Sequence, residues 1–484
     1  MNHIRIVSTY PPRRCGLATF SRDLATALGH FTGEVGSIRI SALDRNNMPY
    51  DIPVDLVIDQ YNPKSWRDGV KDILTRARER TDPTAVLLQH EYGLDPDEQG
   101  NDGEGTHYVQ MARALTEGGL TTLVYLHTVL DNPNSHQATI MRDLAQHSDG
   151  LIVTTESAVQ ILEQAPYRID RNKLKHIDHG VRMHHRSEYD RLACKETFGL
   201  AGRFLVTTLG MLSPDKGIQF GLRAYGRFLA ESCTTAQRRQ TVYVIAGQCH
   251  PEFVKTEGGQ PYREFQAELK LAMDASDLHV CKVPSLMRVD FDACDVIFLD
   301  TFLDEATLLQ LYGATNIMLL PYLNQQQISS GILADTLGSG RVAVTTKFRY
   351  ALELIHSNKR VPEGLVVGRH ARGILVDSGE PSVEQMAQAL DLLVFNRDRR
   401  LAMEREAHQR GYQMRWQNTA WALLQHIEFI QDRQNHRCGR GPIFPREKSS
   451  VYQRPSASRQ AIETSGLKPP ILRQSQLDVT LNSA

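Results

Sequence analysis

Short unbroken apolar runs recur along this chain, each followed by a polar turn and then by a stretch with helical periodicity. Residues 3–8, 54–59, 85–89, 122–126 and 151–154 form one series, and 203–209, 241–246, 296–300, 316–320 and 342–345 form a second. A strand buried on both faces needs such a continuous run, and parallel strands need a helical crossover between them. The alternation therefore predicts an α/β protein with two successive parallel sheets. A charged segment over 182–195 separates the two series.

Composition narrows the function classes. With 484 residues, 41% hydrophobic and 23% charged, the chain can fill two cores with some length to spare. A formal net charge of -1 gives no bulk attraction to nucleic acid. The N-terminus opens directly on a strand, with no secretory h-region, and no run reaches the ~18 apolar residues of a spanning helix. The expected location is cytoplasmic. The seven cysteines are scattered without C-x-x-C spacing, which reads as reduced thiols and not as a disulfide or zinc framework. Beyond Gln431 the chain turns rich in Arg, Ser, Pro and Gln, so 431–484 is expected to be a disordered tail. Its basic residues suit either peripheral contact with an acidic lipid surface or plain solvation.

The polar residues that follow the apolar runs carry the chemistry, because open α/β sheets place ligands at the carboxyl ends of their strands. After 317–320 comes a polar turn, then Ser329, Ser330 and Gly331 before an apolar-periodic run. Strand, small-residue loop and helix start make an anion site, with free amides, the positive dipole end and hydroxyl donors together. The plainer reading is an ordinary connection with a Ser cap. Gly16 opens a similar unit after the first strand, with Arg13 and Arg14 as anion partners or as a solvated rim. His90 and Glu91 follow the 85–89 run, and His127 follows 122–126; each histidine is either a ligand group or a hydrogen-bonded structural residue. Gly210, Lys216 and Gly217 lie at the exit of 203–209, where Lys216 is a phosphate partner or a surface lysine in a Pro-Asp turn.

Taken in order, these pieces resemble family-4 glycosyltransferases of the GT-B fold. The resemblance runs from Met1 to about Ile430. It is carried by Ser8-Thr9-Tyr10-Pro11-Pro12 with Gly16, Gln89-His90-Glu91-Tyr92-Gly93, His127-Thr128, His179-Gly180-Val181, Leu212-Ser213-Pro214-Asp215-Lys216-Gly217, Pro321-Tyr322 and 327–340. It implies two Rossmann-like domains facing across a cleft: an acceptor domain over 1–185 and a nucleotide-sugar domain over 186–414. A helix over about 415–430 is expected to return to the first domain. It also implies transfer with retention of anomeric configuration, with no cofactor and no required metal. No carboxylate cluster with metal-ligand spacing is visible in the sequence, and no paired carboxylates of a hydrolase.

The resemblance assigns roles unevenly. The donor, GDP- or UDP-linked, is expected at Gly16, Gly210, Lys216, Gln327, Ser329, Ser330, Gly331 and Asp335, and the carbohydrate or lipid-linked acceptor at His90 and Glu91. His127, Lys216 and Gln327 are the expected catalytic residues. The family pattern has glutamates where this chain has Gln327 and Asp335, and an arginine where it has Met211. Gln327 keeps hydrogen bonding without charge, and Asp335 keeps charge on a shorter arm. A subgroup with a Gln-Ile-Ser/Thr-Ser-Gly loop shares the first change. A phosphorylase on the same fold and a catalytically silent sugar- or nucleotide-binding module are the alternatives.

Overall fold

The computed structural model describes residues 3–32, 37–96, 105–183, 188–249, 251–286, 289–356, 362–368 and 370–437. The first sheet consists of β1 (His3–Ser8), β2 (Ile38–Asp44), β3 (Val54–Asp59), β4 (Thr84–His90), β5 (Thr121–Leu126), β6 (Gly150–Val153) and β7 (Leu174–His176), in the order β3-β2-β1-β4-β5-β6-β7. The second consists of β8 (Phe204–Leu209), β9 (Thr241–Ala246), β10 (Val280–Val283), β11 (Val296–Leu299), β12 (Ile317–Leu320), β13 (Val342–Thr346) and β14 (Gly373–Val376), in the order β10-β11-β9-β8-β12-β13-β14. Each strand pairs parallel with its neighbours. These are the two Rossmann-like units expected. In each, the strand order reverses beside the first strand, between β1 and β4 and between β8 and β12. Those are the points where such sheets open a crevice.

Local chemistry starts the helices that cover the sheets. Asn62 caps the helix Pro63–Arg78 with Pro at its first turn, and Asn134 forms a reciprocal capping box with Gln137 ahead of the helix Ser135–His147. Four strands fall outside the ten apolar runs: β2, β7, β10 and β14. The runs of β2 and β10 are interrupted by Arg39, Ser41 and Lys282, and β14 is a short run of three apolar residues after Gly373.

Two departures from expectation concern covalent and terminal structure. Cys281 and Cys294 are disulfide-bonded, with Cα atoms 6.1 Å apart, against the reading of all seven cysteines as free thiols. Parallel pairing of Val280 with Val296 brings the two cysteines together, and spacing in the chain does not reveal that register. The final helix, Trp416–Arg437, runs seven residues past Ile430. Its polar end is held by hydrogen bonds and not by apolar burial: Gln434 accepts from Thr121 Oγ1 at 3.1 Å and donates to Asp149 at 2.8 Å. The tail beyond Arg437 lies outside the described residues. Among the described residues no helix is long and apolar enough to cross a membrane.

The chain crosses twice between the sheets, and the crossings are bonded to each other. Val181 N–H donates to Met414 O at 2.9 Å, and Trp416 N–H donates to Val181 O at 3.3 Å. The final helix then packs Trp416, Ala420, Leu423, Leu424 and Ile427 into the core of the first sheet. Gly180 lies against the Trp416 indole, where a Cβ would stand 2.1 Å from a ring carbon. Gly180→Ala is therefore expected to destabilise the protein by about 1–3 kcal/mol, the usual cost of overpacking. The urea midpoint measures it, and an unchanged midpoint would mean that the crossing yields freely.

Candidate active site

The carboxyl ends of β4, β5 and β12 face one another across the interdomain crevice. Between them lies a cavity of about 380 Å³, lined by Gly16, Glu91 and His127 from the first domain and by Gln327, Ser329 and Gly331 from the second. All six were candidates from the sequence. A Cβ on Gly16 would meet nothing within 4 Å, and one on Gly331 would meet only the His179 ring at 3.8 Å. Both backbones are thus open to a ligand.

The loop after β12 is anchored on both sides of the crevice. Ile328 is buried in the core of the first sheet, and its carbonyl accepts from Thr154 Oγ1 at 3.0 Å. Gln327 donates to Ser329 O at 2.6 Å. Ser330 is the N-cap of the helix Gly331–Gly338, its Oγ accepting from Leu333 N–H at 3.3 Å. Its hydroxyl is thereby committed to the helix. The amides of Gly331 and Ile332, at the helix start, have no intrahelical acceptor, so they and the dipole remain for an anion.

Phe20 organises the first-domain wall. Its ring meets Tyr125, His127, His179 and Trp416 edge-on, at centroid distances of 5.3, 4.7, 5.1 and 5.1 Å. His127 Nε2 lies 2.6 Å from the Oε1 of the fully buried Gln89. Burial, with His179 and His90 nearby, lowers the His127 pKa to about 3. His179 donates from Nδ1 to Gly180 O at 2.7 Å, and burial lowers its pKa to about 4. Both rings are neutral at pH 7, so their free nitrogens are hydrogen-bond acceptors. His179 was legible only through its place in the family resemblance.

Other expected residues lie elsewhere. His90 is buried between Tyr92 and Tyr108, at centroid distances of 5.4 and 5.3 Å, and does not line the cavity. Burial lowers its pKa to about 4. Glu91 does reach the cavity, and desolvation pushes its carboxyl up, against Arg13. Lys216 lies over the Tyr322 ring, Nζ 3.9 Å from the centroid, at the exit of β8 and away from the cavity lining. The turn is tight: a Cβ on Gly217 would sit 2.0 Å from Pro321 O, and Gly217 has φ +59. Gly210 adopts φ +114 and faces Ile332. Arg13 is spent on Gln60 and Leu43 O, whereas Arg14 lies over Phe302 across the crevice.

Asp335 faces the crossing. Its Oδ1 accepts from Arg182 N–H at 3.2 Å, and Oδ2 is 3.8 Å from the Arg182 guanidinium. Arg182 also meets Asp23 at 2.5 Å and Glu305 at 3.4 Å, and Arg22 bridges to Glu305 at 2.8 Å. Burial raises the Asp335 carboxyl to about 6 despite Arg182. Arg182, which meets the helix Gly331–Gly338 through Asp335, is thus surrounded by carboxylates.

Comparison with solved structures identifies the architecture. Anabaena HepE in complex with UDP superposes with a TM-score of 0.60 at 14% identity, covering 88% of this chain and 99% of that one. The UDP-forming α,α-trehalose-phosphate synthase of Burkholderia xenovorans, in complex with glucose-6-phosphate, gives 0.61 at 13% identity, covering 88% and 100%. A glycosyltransferase from Rickettsia africae ESF-5 gives 0.61 at 12% identity, covering 89% and 98%. The fold is GT-B. No protein-family model and no curated protein sequence matches the chain.

Buried imidazoles set a pH dependence. His3, His90, His179 and His426 are lowered to about 4 and His127 to about 3, chiefly by burial. Their unfolded pKa is near 6.5, so the unfolded chain binds more protons, and stability present above that value is lost as pH falls toward 4. Asp335, raised to about 6, and Glu428, raised to about 7, act oppositely, losing their contribution as pH rises through those values. Glu91 and His176, both raised, act the same way as Asp335 and Glu428, so five lowered imidazoles stand against four raised groups. The urea midpoint is expected to fall between pH 7 and pH 5; a midpoint that holds or rises would show that the imidazoles are not kept neutral.

Proposed function

We propose that this chain is a retaining glycosyltransferase of family-4 type, moving a hexose from a UDP- or GDP-linked donor to a hydroxyl of a glycan, lipid-linked or small-molecule acceptor in the cytoplasm. The observation that carries the reading is the shared cavity. Gly16, Glu91, His127, Gln327, Ser329 and Gly331 come from distant parts of the chain and line one space at the switch points of two sheets. The GT-B fold supports it, and HepE and the trehalose-phosphate synthase are solved with UDP and with a sugar phosphate respectively.

In this reading the donor diphosphate lies at the start of the helix Gly331–Gly338, where the amides of Gly331 and Ile332 and the helix dipole stabilise the departing charge. Lys216 adds a positive charge from the exit of β8. The bond from the sugar anomeric carbon to the phosphate oxygen breaks, and a bond to the acceptor oxygen forms on the same face. The acceptor proton passes to the departing phosphate oxygen. His127 and Gln327 hold sugar hydroxyls, and Glu91 meets the acceptor. A metal has no role in this reading.

Two placements favour a second reading, a module that binds a nucleotide sugar without transfer. Asp335 is engaged by Arg182, and Lys216 lies on Tyr322, so neither lines the cavity. Thermal-shift titration with UDP-, GDP- and ADP-sugars tests both readings. A true donor at a hundred times its dissociation constant adds ~2.7 kcal/mol of stability. No shift with any of them sinks the donor site, and a shift without transfer or donor hydrolysis selects the binding module. Gln327→Ala is expected to lower transfer about tenfold to a hundredfold through loss of a sugar contact and of the Ser329 bond, with stability little changed.

A further inference from the structure

Gln89 is fully buried at the end of β4, beneath the cavity wall, so no ligand touches it. A carbonyl oxygen only accepts hydrogen bonds. With Gln89 Oε1 turned toward the ring at 2.6 Å, the proton of His127 sits on Nε2, and Gln89 Nε2 is left buried without a hydrogen-bond partner among the described residues. Nδ1 then carries a lone pair. His179 is held the other way round, with its proton on Nδ1 facing Gly180 O and its lone pair on Nε2. Neither free nitrogen is among the polar atoms sealed inside the protein, and both rings line the cavity. His179 Nε2 stands 3.8 Å from where a Cβ of Gly331 would lie, at the other wall.

We propose that Gln89 is a positioning residue that locks His127 as the Nε2–H tautomer, so that with His179 the cavity presents two neutral acceptor nitrogens and selects a hexosyl group with free hydroxyls. This rests on the transferase reading and deepens it. Hydroxyls donate to such nitrogens, whereas an ester or a carboxylate at the same position brings only further lone pairs. The groups around His127 leave it neutral: His90 and Glu91 at the exit of β4, Tyr125 stacked on it at 5.2 Å, Phe20 edge-on, and His179 from the crossing. Among the described residues none of these gives it a carboxylate hydrogen bond.

Nitrogen-15 NMR of the full-length, histidine-labelled protein tests the lock directly, with His127→Gln used to assign the signal. The expected spectrum has Nε2 protonated and Nδ1 bare, unchanged between pH 5 and pH 8. A proton on Nδ1, or a ring that titrates near 6.5, overturns the proposal whatever the protein's activity. Gln89→Met removes the acceptor at similar volume, and Gln89→Glu retains it while adding charge. With whichever of UDP-glucose, GDP-mannose or ADP-glucose shifts the wild type, Gln89→Met is expected to raise KM about tenfold while affinity for the bare nucleoside diphosphate holds. Gln89→Glu is expected to keep the tautomer and to acquire a loss of activity at acid pH, as the ring becomes protonated. Equal KM in wild type and both variants overturns the proposal and leaves the transferase reading intact. Absence of nucleotide binding in the wild type sinks that reading instead, and the NMR result still decides the tautomer.

Discussion

The pairing of the two interdomain crossings is the constraint on which the cleft depends. Val181 is bonded to Met414 and Trp416, and Gly180 has no side chain, so the Trp416 indole can lie flat against the crossing. Trp416 touches Phe20, and Phe20 touches both cavity histidines. The cavity wall is thus an extension of the hinge. Contacts nearer the mouth are of a different strength. Ion pairs such as Arg22 to Glu305 are partly exposed, and pairs of that kind each contribute about 1 kcal/mol or less. Burying Ile328 in the first-sheet core is worth about 1.5–3 kcal/mol. A stiff hinge with a modestly held mouth is the arrangement that lets a cleft open without losing its geometry.

Charge in the cavity is handled by dipoles more than by ions. The cationic groups close by are already engaged: Arg182 with Asp23, Glu305 and Asp335, Arg13 with Gln60, and Lys216 over Tyr322. The histidines are neutral. Among the described residues, the start of the helix Gly331–Gly338 faces the space on one side, and two imidazole lone pairs and the Glu91 carboxylate face it on the other. An anionic end and a hydroxylated end match those two walls, and a nucleotide sugar has both.

The alternation of apolar runs was enough to read two parallel sheets, because a strand buried on both faces leaves a continuous apolar signature. It was also enough to point at Gly16, Glu91, His127, Ser329 and Gly331, because ligand groups must follow the strands, whereas Gln327 came only from the family resemblance. The failures share a cause: they depend on what the chain meets after folding. His90 follows a strand as His127 does, yet Tyr92 and Tyr108 close over it. Cys281 and Cys294 meet only through the register of β10 on β11. The polar residues 431–437 looked like the start of a tail, but Gln434 finds Thr121 and Asp149 at the foot of the first sheet.

Asp335 shows how such a misplacement carries information. On the family pattern a longer acid at this position reaches the donor. The shorter arm here meets the backbone N–H of Arg182, one residue beyond the bonded Val181. The same side chain therefore belongs to the helix that begins at the ligand loop and to the strand of chain that forms the hinge. A carboxylate raised to about 6, among Arg182, Asp23 and Glu305, is sensitive to any change in those neighbours. The helix that begins at the ligand loop and the crossing between the sheets thus meet at one residue.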